Sequence, residues 1–202
     1  MRIAPGETLL VATGNRGKLA EISALLSPFG VIVRSLAEVG LREPEETEHS
    51  FAGNALLKAR AGAAGSGLLT LADDSGLEVV ALGGAPGIYT ADWAEGPGPR
   101  DFARAMTKTW GLLEAVRAIK PRRAAFCCTL ALVRPDGQEQ VFAGRVAGRI
   151  VWPMRGTSGH GYDPMFVPDG HEQTFGEMPE DLKNRISHRA DAFNKLMEAC
   201  FT

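Results

Sequence analysis

Residues 8–34 decide the fold class, because TLLVATGNRGKLAEISALLSPFGVIVR combines two different kinds of pattern. Residues 8–13 are a short apolar run that ends at a glycine-containing turn, which is typical of a buried strand. Residues 18–27 then carry leucine and isoleucine at helical spacing, and residues 31–34 predict a second strand. The chain therefore opens with a strand, a loop, a helix and a strand, the order found in α/β folds.

Similar patterns run through the rest of the chain. Helices are predicted at residues 50–64, at 100–119 and from about 189. Strands are predicted at residues 68–72, 77–80, 124–133, 140–150 and 165–167. The turn Pro135-Asp136-Gly137 predicts that two of these strands form an antiparallel hairpin. An early strand–helix–strand unit and a late hairpin together predict a mixed sheet flanked by helices.

Length and charge limit the kinds of protein that this chain can be. With 202 residues and 45% hydrophobic content, it can bury one sizeable core, so we expect a single domain over residues 1–202 with two lobes. The 22 basic and 24 acidic side chains nearly balance. A protein without a strong positive field is not expected to bind nucleic acid or anionic membranes in general.

Cysteine usage and hydropathy predict a cytoplasmic protein. The three cysteines are an odd number without metal-ligand spacing, and the adjacent pair Cys127-Cys128 lies in an apolar run typical of a buried strand. This suits a reducing compartment. Residues 1–7 lack an apolar stretch of signal-peptide length, and the apolar run at 127–133 is too short to span a bilayer.

A glycine-containing segment between the first strand and helix is a candidate phosphate-binding loop. It consists of Thr13, Gly14, Asn15, Arg16, Gly17 and Lys18. Glycines let backbone amides face a ligand, and the start of a helix favours an anion. The spacing differs from a Walker A loop, since only two residues separate the glycines and Leu19 stands where Ser or Thr would bind magnesium. An ordinary strand-to-helix turn is the structural alternative.

Carboxylates form the second candidate site. Glu43, Glu45, Glu46 and Glu48 crowd one loop, although such runs are usually only solvated. Asp73 and Asp74 follow an apolar strand, where ligands gather in α/β sheets, and carboxylate oxygens suit Mg²⁺. Together with the cations Lys18 and Lys58, these carboxylates predict a site for phosphoryl chemistry. In such a site the carboxylates bind a metal, the metal and the lysines bind a triphosphate, and one carboxylate orients water.

A donor-rich segment, KNRISHR at residues 183–189, lies at the expected start of the terminal helix. Fixed hydrogen-bond donors suit hypoxanthine or xanthine, which present an acceptor oxygen at position six. Adenine presents an amine there, so the same donors would be left unpaired. The alternative is a basic helix start with Ser187 as its cap.

The chain resembles the inosine/xanthosine triphosphate pyrophosphatase family through seven segments in order, from about residue 9 to residue 193. They are Thr13-Gly14-Asn15-Arg16-Gly17-Lys18, Glu45-Glu46-Thr47, Phe51 with Asn54 and Lys58-Ala59-Arg60, Ala72-Asp73-Asp74-Ser75-Gly76-Leu77, Gly83-Gly84-Ala85-Pro86-Gly87-Ile88-Tyr89, Gly161-Tyr162-Asp163-Pro164, and Ser187-His188-Arg189. The resemblance implies a two-lobed fold with an elongated mixed sheet, an active-site cleft between the lobes, a homodimer, and hydrolysis of ITP, dITP and XTP at the α–β phosphate link.

The resemblance also implies roles for individual residues. Glu46 and Asp74 would hold the metal, and Asp74 would also be the catalytic base for water. The residues of the candidate phosphate loop would bind the triphosphate, to which the charge pattern already assigns Lys58. The nucleotide pocket would be lined by Ser75, His160, Gly161, Tyr162, Asp163, Lys183, His188 and Arg189.

Two positions depart from the family pattern. His160 stands where an aromatic hydrocarbon ring is frequent, and Asp92 stands where a basic residue is frequent. An imidazole can still stack on a base. Two other functions stay open from the sequence: a nucleotide-binding regulator without turnover, and a related pyrophosphatase acting on canonical or other modified nucleotides. Both acidic pairs are intact, which argues against the first.

Overall fold

A computed structural model of the protein describes residues 1–201. Its helices are α1 (Arg16–Leu26), α2 (Phe51–Ser66), α3 (Phe102–Ala115), α4 (Glu180–Ile186) and α5 (His188–Cys200). Its strands are β1 (Thr8–Val11), β2 (Ile32–Ser35), β3 (Leu69–Val79), β4 (Pro86–Gly87), β5 (Arg123–Val133), β6 (Glu139–Ile150) and β7 (Phe166–Pro168). Across this described part of the chain, no helix combines the length and the apolar character needed to cross a bilayer.

The strands form one mixed sheet in the order β2-β1-β3-β5-β6-β7, with β4 beside β3. Strands β2 and β3 both run parallel to β1, as the opening strand–helix–strand unit requires. Strand β7 is antiparallel to β6, and β4 is antiparallel to β3. Strands β5 and β6 are sheet neighbours joined by the short turn at residues 134–138, so they form the predicted hairpin. The predicted mixed α/β fold is confirmed.

The chain divides into two compact units. The first consists of Met1–Asp74, Thr129–Ala143 and the residues from Ala192 onward. In this unit alanines of α2 pack against β1 and β3, and a Cβ added at Gly62 would lie 2.7 Å from Thr70 Cγ2. The small side chains of α2 therefore let the helix approach the sheet closely, which explains its alanine- and glycine-rich sequence.

The second unit consists of Ser75–Cys128 and Gly144–Asp191 and has an aromatic core. The ring of Phe126 on β5 lies 4.7 Å from that of Phe166 on β7, and Phe166 lies 5.4 Å from Phe175. These centroid distances are those of favourable aromatic pairs.

Two sequence-based boundaries need correction, and one helix was missed. The strands predicted at 68–72 and 77–80 are one strand, β3, which continues through Asp73, Asp74 and Ser75. The helix predicted at 100–119 begins after its cap Asp101 and ends at Ala115. Helix α4 was not predicted, because it is short, charged and has no buried residue to give it a periodic apolar face.

Candidate active site

The candidate phosphate loop joins β1 to α1, and its polar groups are organised around Asn15. The Asn15 Oδ1 atom accepts hydrogen bonds from the amides of Gly17, at 2.9 Å, and Lys18, at 3.1 Å, and so caps α1. Thr13 is nearly buried, and its hydroxyl accepts from the Asn15 amide. Arg16 is the exposed first residue of the helix. Side-chain hydrogen bonds of Thr13 and Asn15 therefore stabilise the conformation of this loop.

One amide of this loop already contacts a negative charge. The Gly14 N–H donates to Glu43 Oε2 over 2.6 Å, a short distance typical of hydrogen bonds to ionised acceptors. Glu43 lies in the acidic loop that the sequence predicts to be solvated. This contact supports the prediction that the loop accepts anions, and it assigns Glu43 a specific partner that no local pattern indicated.

Lys58 is the centre of a charged cluster in the first unit. Its side chain projects from α2, is 3% exposed, and lies 2.5 Å from Glu46 Oε1 and 3.7 Å from Glu43 Oε1. Burial by itself lowers the pKa of this ammonium, but the hydrogen bond to Glu46 and the charges of Asp73, Glu46 and Asp74 outweigh it, so the pKa of Lys58 is raised. Lys58 is therefore charged and held among carboxylates.

Asp73 and Asp74 are consecutive residues of β3, and both are buried. The Lys18 ammonium lies 2.7 Å from Asp73 Oδ2. Asp74 Oδ2 accepts a hydrogen bond of 3.0 Å from Nδ2 of Asn54 on α2. Each carboxylate is thus anchored by a different helix, α1 for Asp73 and α2 for Asp74.

Asn54 is buried and has a fixed orientation. Its Oδ1 atom accepts from the Glu48 amide at 3.0 Å, so its NH₂ group must point toward Asp74. Asn54 lies in one of the family segments, but its sequence context predicts no role for it. The available signal was its spacing of one helical turn from Lys58, which puts both side chains on the same face of α2.

The first unit therefore brings together much of the predicted phosphate and metal site: Lys18, Glu46, Lys58, Asp73 and Asp74. Four carboxylates, those of Glu43, Glu46, Asp73 and Asp74, are associated with two ammonium groups, those of Lys18 and Lys58. Within residues 1–201, however, no three His, Cys, Asp or Glu side chains are grouped closely enough to ligate a metal by themselves. The cluster carries an excess of negative charge.

The second unit holds the residues predicted to line the nucleotide pocket. Asp163 is buried, and its Oδ2 atom accepts from the His160 amide at 2.6 Å and from the Lys183 ammonium. Gly159 has a φ of +80°, and a Cβ there would lie 2.1 Å from Asp163 Oδ2. Only a glycine at position 159 leaves room for the Asp163 carboxylate, which links the loop at residues 159–163 to Lys183 of α4.

Tyr162 differs from the other predicted pocket residues, because its ring lies in the hydrophobic core and is 1% exposed. It makes an edge contact with Phe102 at 6.0 Å, and burial raises the pKa of its phenol to about 12. The preceding residue, Gly161, has a φ of +64° and turns the chain toward this core position. The structure gives the Tyr162 ring a packing role.

The donor-rich segment at residues 183–189 is divided between two helices. Lys183 belongs to α4, whereas His188 and Arg189 begin α5 after Ser187, whose hydroxyl accepts from the Ala190 amide at 3.1 Å. The imidazole of His188 stacks on Phe126 with centroids 5.0 Å apart and planes 17° apart. Ser187 therefore is a helix cap, as the alternative prediction had it, and the neighbouring side chains have fixed positions. Ser75 lies in β3, and its role in binding stays a prediction.

Comparison with known proteins now identifies the family. The Ham1 family profile matches residues 9–199. The chain belongs to the Ham1 family. It is 56% identical to a dITP/XTP pyrophosphatase of Ruegeria pomeroyi over 200 residues, which cover 99% of this chain and 98% of that protein. It is 51% identical to a dITP/XTP pyrophosphatase of Agrobacterium fabrum, with 99% of each chain covered.

Solved structures agree with this assignment to the Ham1 family. A HAM1 protein from Coxiella burnetii is 34% identical and superimposes with a TM-score of 0.89 over 96% of this chain and 98% of that one. The nucleoside-triphosphatase or dITP/XTP pyrophosphatase from Mycobacterium abscessus is 41% identical, with a TM-score of 0.79 over 94% and 98% of the two chains. The resemblance inferred from the seven sequence segments is confirmed.

Proposed function

We propose that this Ham1-family protein hydrolyses the non-canonical purine nucleoside triphosphates dITP, ITP and XTP to the monophosphate and pyrophosphate. Full-length relatives that carry the name dITP/XTP pyrophosphatase support this substrate class. The structural observation that carries the proposal is the Lys58 cluster. Its buried ammonium pairs with Glu46 and interacts with the charge of Asp74, and the nearby Gly14 amide already binds the Glu43 carboxylate.

The same cluster fits a divalent cation such as Mg²⁺. Its carboxylates outnumber its ammonium groups, and hard oxygen donors are the ligands that Mg²⁺ prefers. Mg²⁺ is usually bound by one or two carboxylates, with waters and substrate phosphates completing its shell, so a complete protein ligand set is not required. Glu46 and Asp74 would hold the ion. When bound, it would neutralise phosphate charge and polarise the phosphoryl group.

The residues of the first unit would then perform distinct tasks. The amides of the Thr13 to Lys18 loop, with Lys18 and Lys58, would bind and orient the triphosphate. Asp74 would accept a proton from the attacking water, whose oxygen forms a bond to the α-phosphorus. The bond from that phosphorus to the bridging oxygen breaks, and pyrophosphate leaves with the bonding electron pair. Asn54 would keep the Asp74 carboxylate in one orientation throughout.

The residues of the second unit would select the base. Lys183, His188 and Arg189 are donors whose positions are fixed by Asp163, by Phe126 and by the start of α5. Ser75, His160, Gly161 and Asp163 complete the proposed pocket, whereas the Tyr162 ring supports it from the core. The six-keto oxygen of hypoxanthine or xanthine would accept hydrogen bonds from these donors, which the six-amino group of adenine cannot do.

We further propose that residues 1–202 form a single functional domain that acts as a cytoplasmic homodimer.

The proposal is tested by steady-state hydrolysis of a nucleotide panel with Mg²⁺, with products separated by chromatography. We expect ITP, dITP and XTP to give monophosphate and pyrophosphate, and ATP to react with a much lower kcat/KM. Release of inorganic phosphate with a diphosphate as first product would contradict the proposed site of attack. An ATP value equal to that for ITP would contradict the proposed base selection, and tight ITP binding without turnover would favour a regulator.

A further inference from the structure

A cavity of about 420 Å³ lies in the second unit and contains none of the proposed active-site residues. It is lined by Trp110, Lys120, Pro121, Arg122, Arg149, Ile150, Val151 and Trp152. Its volume falls within the range of sites that bind small organic molecules. Trp110 lies on α3, residues 120–122 precede β5, and residues 149–152 form the end of β6 and the segment after it, so the lining combines a helix, a strand end and two connecting segments.

The charged part of the lining is entirely basic. Arg122 donates to Glu114, and Arg149 donates to Glu172 at 3.0 Å, but neither acid lines the cavity. Among residues 1–201, Lys120 makes no ion pair. Three cations around one cavity favour an anionic ligand.

Arg122 supplies a second, independent observation. The residue is 6% exposed, and among the described residues its buried Nη1 atom has no hydrogen-bond partner, while its Nε lies 3.4 Å from the Ala118 carbonyl. A buried guanidinium nitrogen without an acceptor is destabilising, and it indicates a water or ligand oxygen that completes the site. Guanidinium groups match the planar geometry of carboxylates and phosphates.

Aromatic rings form the flat part of the cavity. The indoles of Trp110 and Trp152 stack with centroids 5.7 Å apart and planes 14° apart, and the Arg122 guanidinium carbon lies 3.9 Å from the Trp110 centroid. Pro121, Ile150 and Val151 add aliphatic surface. Such a surface favours a planar apolar group over a hydrated inorganic ion.

We propose that this cavity is a binding site for a small aromatic anion. The carboxylate or phosphate of the ligand would contact Lys120, Arg122 and Arg149, and its ring would pack against the tryptophan pair. The proposal does not depend on the hydrolytic activity, because it uses other residues and a different region of the second unit.

Tryptophan fluorescence offers a direct test. The protein has three tryptophans, and replacement of Trp93 by phenylalanine leaves only the two that line the cavity. This variant is titrated with phenyl phosphate, benzoate, inorganic phosphate and benzylamine, and binding is checked by ligand-observed NMR. We expect the two aromatic anions to bind, inorganic phosphate to bind more weakly, and benzylamine not to bind. The ratio of phenyl phosphate to benzoate affinity tells which anionic group the cavity prefers.

Two variants outside the buried core then locate the ligand. Lys120→Gln and Arg149→Gln should each raise the dissociation constant of phenyl phosphate by roughly threefold to tenfold, the effect of losing one partly exposed charged contact. Arg185→Gln, which removes an exposed charge that does not line the cavity, should leave it unchanged. Neither cavity variant should reduce the melting temperature appreciably, so a weaker affinity would report the contact itself.

Several results would overturn the proposal. One is the absence of both a fluorescence change and an NMR signal with either aromatic anion at millimolar concentration. Another is equal binding of benzylamine. A third is binding that survives Lys120→Gln and Arg149→Gln but disappears in Lys18→Ala, because this would place the phenyl phosphate in the candidate phosphate loop.

Discussion

Lys58 and Lys183 are both bound by carboxylates, but their surroundings differ. Lys58 in the first unit faces Glu46, Glu43 and, through longer-range charge interactions, Asp73 and Asp74. Within residues 1–201, Lys183 in the second unit forms an ion pair with Asp163 only. The first arrangement keeps an excess of negative charge that a metal ion can neutralise, whereas the second is balanced and leaves donors for an uncharged ligand group. The proposed catalytic site is thus negatively charged, whereas the Lys183–Asp163 pair of the proposed base-recognition site is neutral.

The largest expected effect comes from Asp74→Asn, which tests whether chemistry belongs to the first unit. The amide has nearly the same shape but cannot accept the proton and is a poorer metal ligand, so kcat should fall on the order of a hundredfold or more for every substrate. Rates with ITP and XTP are measured beside Asp136→Asn, a substitution in the exposed turn between β5 and β6. Near-normal turnover in folded Asp74→Asn would remove this carboxylate from the mechanism.

Arg189→Ala tests whether selection belongs to the second unit. Loss of a charged donor to a keto oxygen is worth about 1.5 to 3 kcal/mol, so kcat/KM for ITP should fall roughly tenfold to a hundredfold. ATP, which gains nothing from this donor, should change far less, and the Mg²⁺ dependence should stay the same. Arg185→Ala, at an exposed position of α4, is the control. A parallel loss for ITP and ATP would move Arg189 to phosphate binding or folding.

Asn54→Ala tests the support of the proposed base. Residues that orient metal ligands through hydrogen bonds typically affect activity or metal affinity by tenfold or more, so we expect about a tenfold fall in kcat and a higher Mg²⁺ requirement. The exposed Asn184→Ala is the matched control. If thermal unfolding shifts while kcat and the Mg²⁺ titration do not, Asn54 has only a structural role.

The smallest expected effect is that of Glu43→Gln. The carboxylate holds the Gly14 amide, which the triphosphate is proposed to use, so a weaker acceptor should lower KM for ITP by roughly twofold to fivefold. Glu45→Gln in the same loop is the control, because Glu45 forms no ion pair in the described part of the chain. An increase in KM would mean that Glu43 stabilises the conformation of the loop rather than competing with the triphosphate for the Gly14 amide.

The fold was predictable where local patterns decide it. The hairpin of β5 and β6 was predicted within one residue at each end, because Pro135-Asp136-Gly137 sets a turn between two β-rich runs. The break predicted within β3 was wrong, since Asp73 and Asp74 look like a loop in sequence. Within the strand, Asp73 is paired with Lys18, 55 positions away, and Asp74 accepts a hydrogen bond from the Asn54 amide, 20 positions away. Such distant partners leave no local pattern.

The candidate site was predictable to a similar degree. Lys58, Glu46 and Asp74 could be proposed from their charge and family segments, and the structure associates them in one cluster. The contact of Glu43 with Gly14 and the stacking of His188 on Phe126 could not, because each joins residues that only the folded chain brings together. The Tyr162 ring shows the reverse case, in which a family segment contains a residue whose side chain lies in the core.

The unbroken course of β3 also restricts which sequence changes the protein tolerates. Successive side chains of a strand point to opposite faces, so the insertion of a single residue between Leu71 and Asp73 would exchange the faces of the two aspartates. Asp73 would then lose its ion pair with Lys18, and Asp74 would lose its hydrogen bond from Asn54. The number of residues in this strand is therefore as constrained as their identity, and single-residue insertions or deletions should be tolerated in the turn at 134–138 but not here.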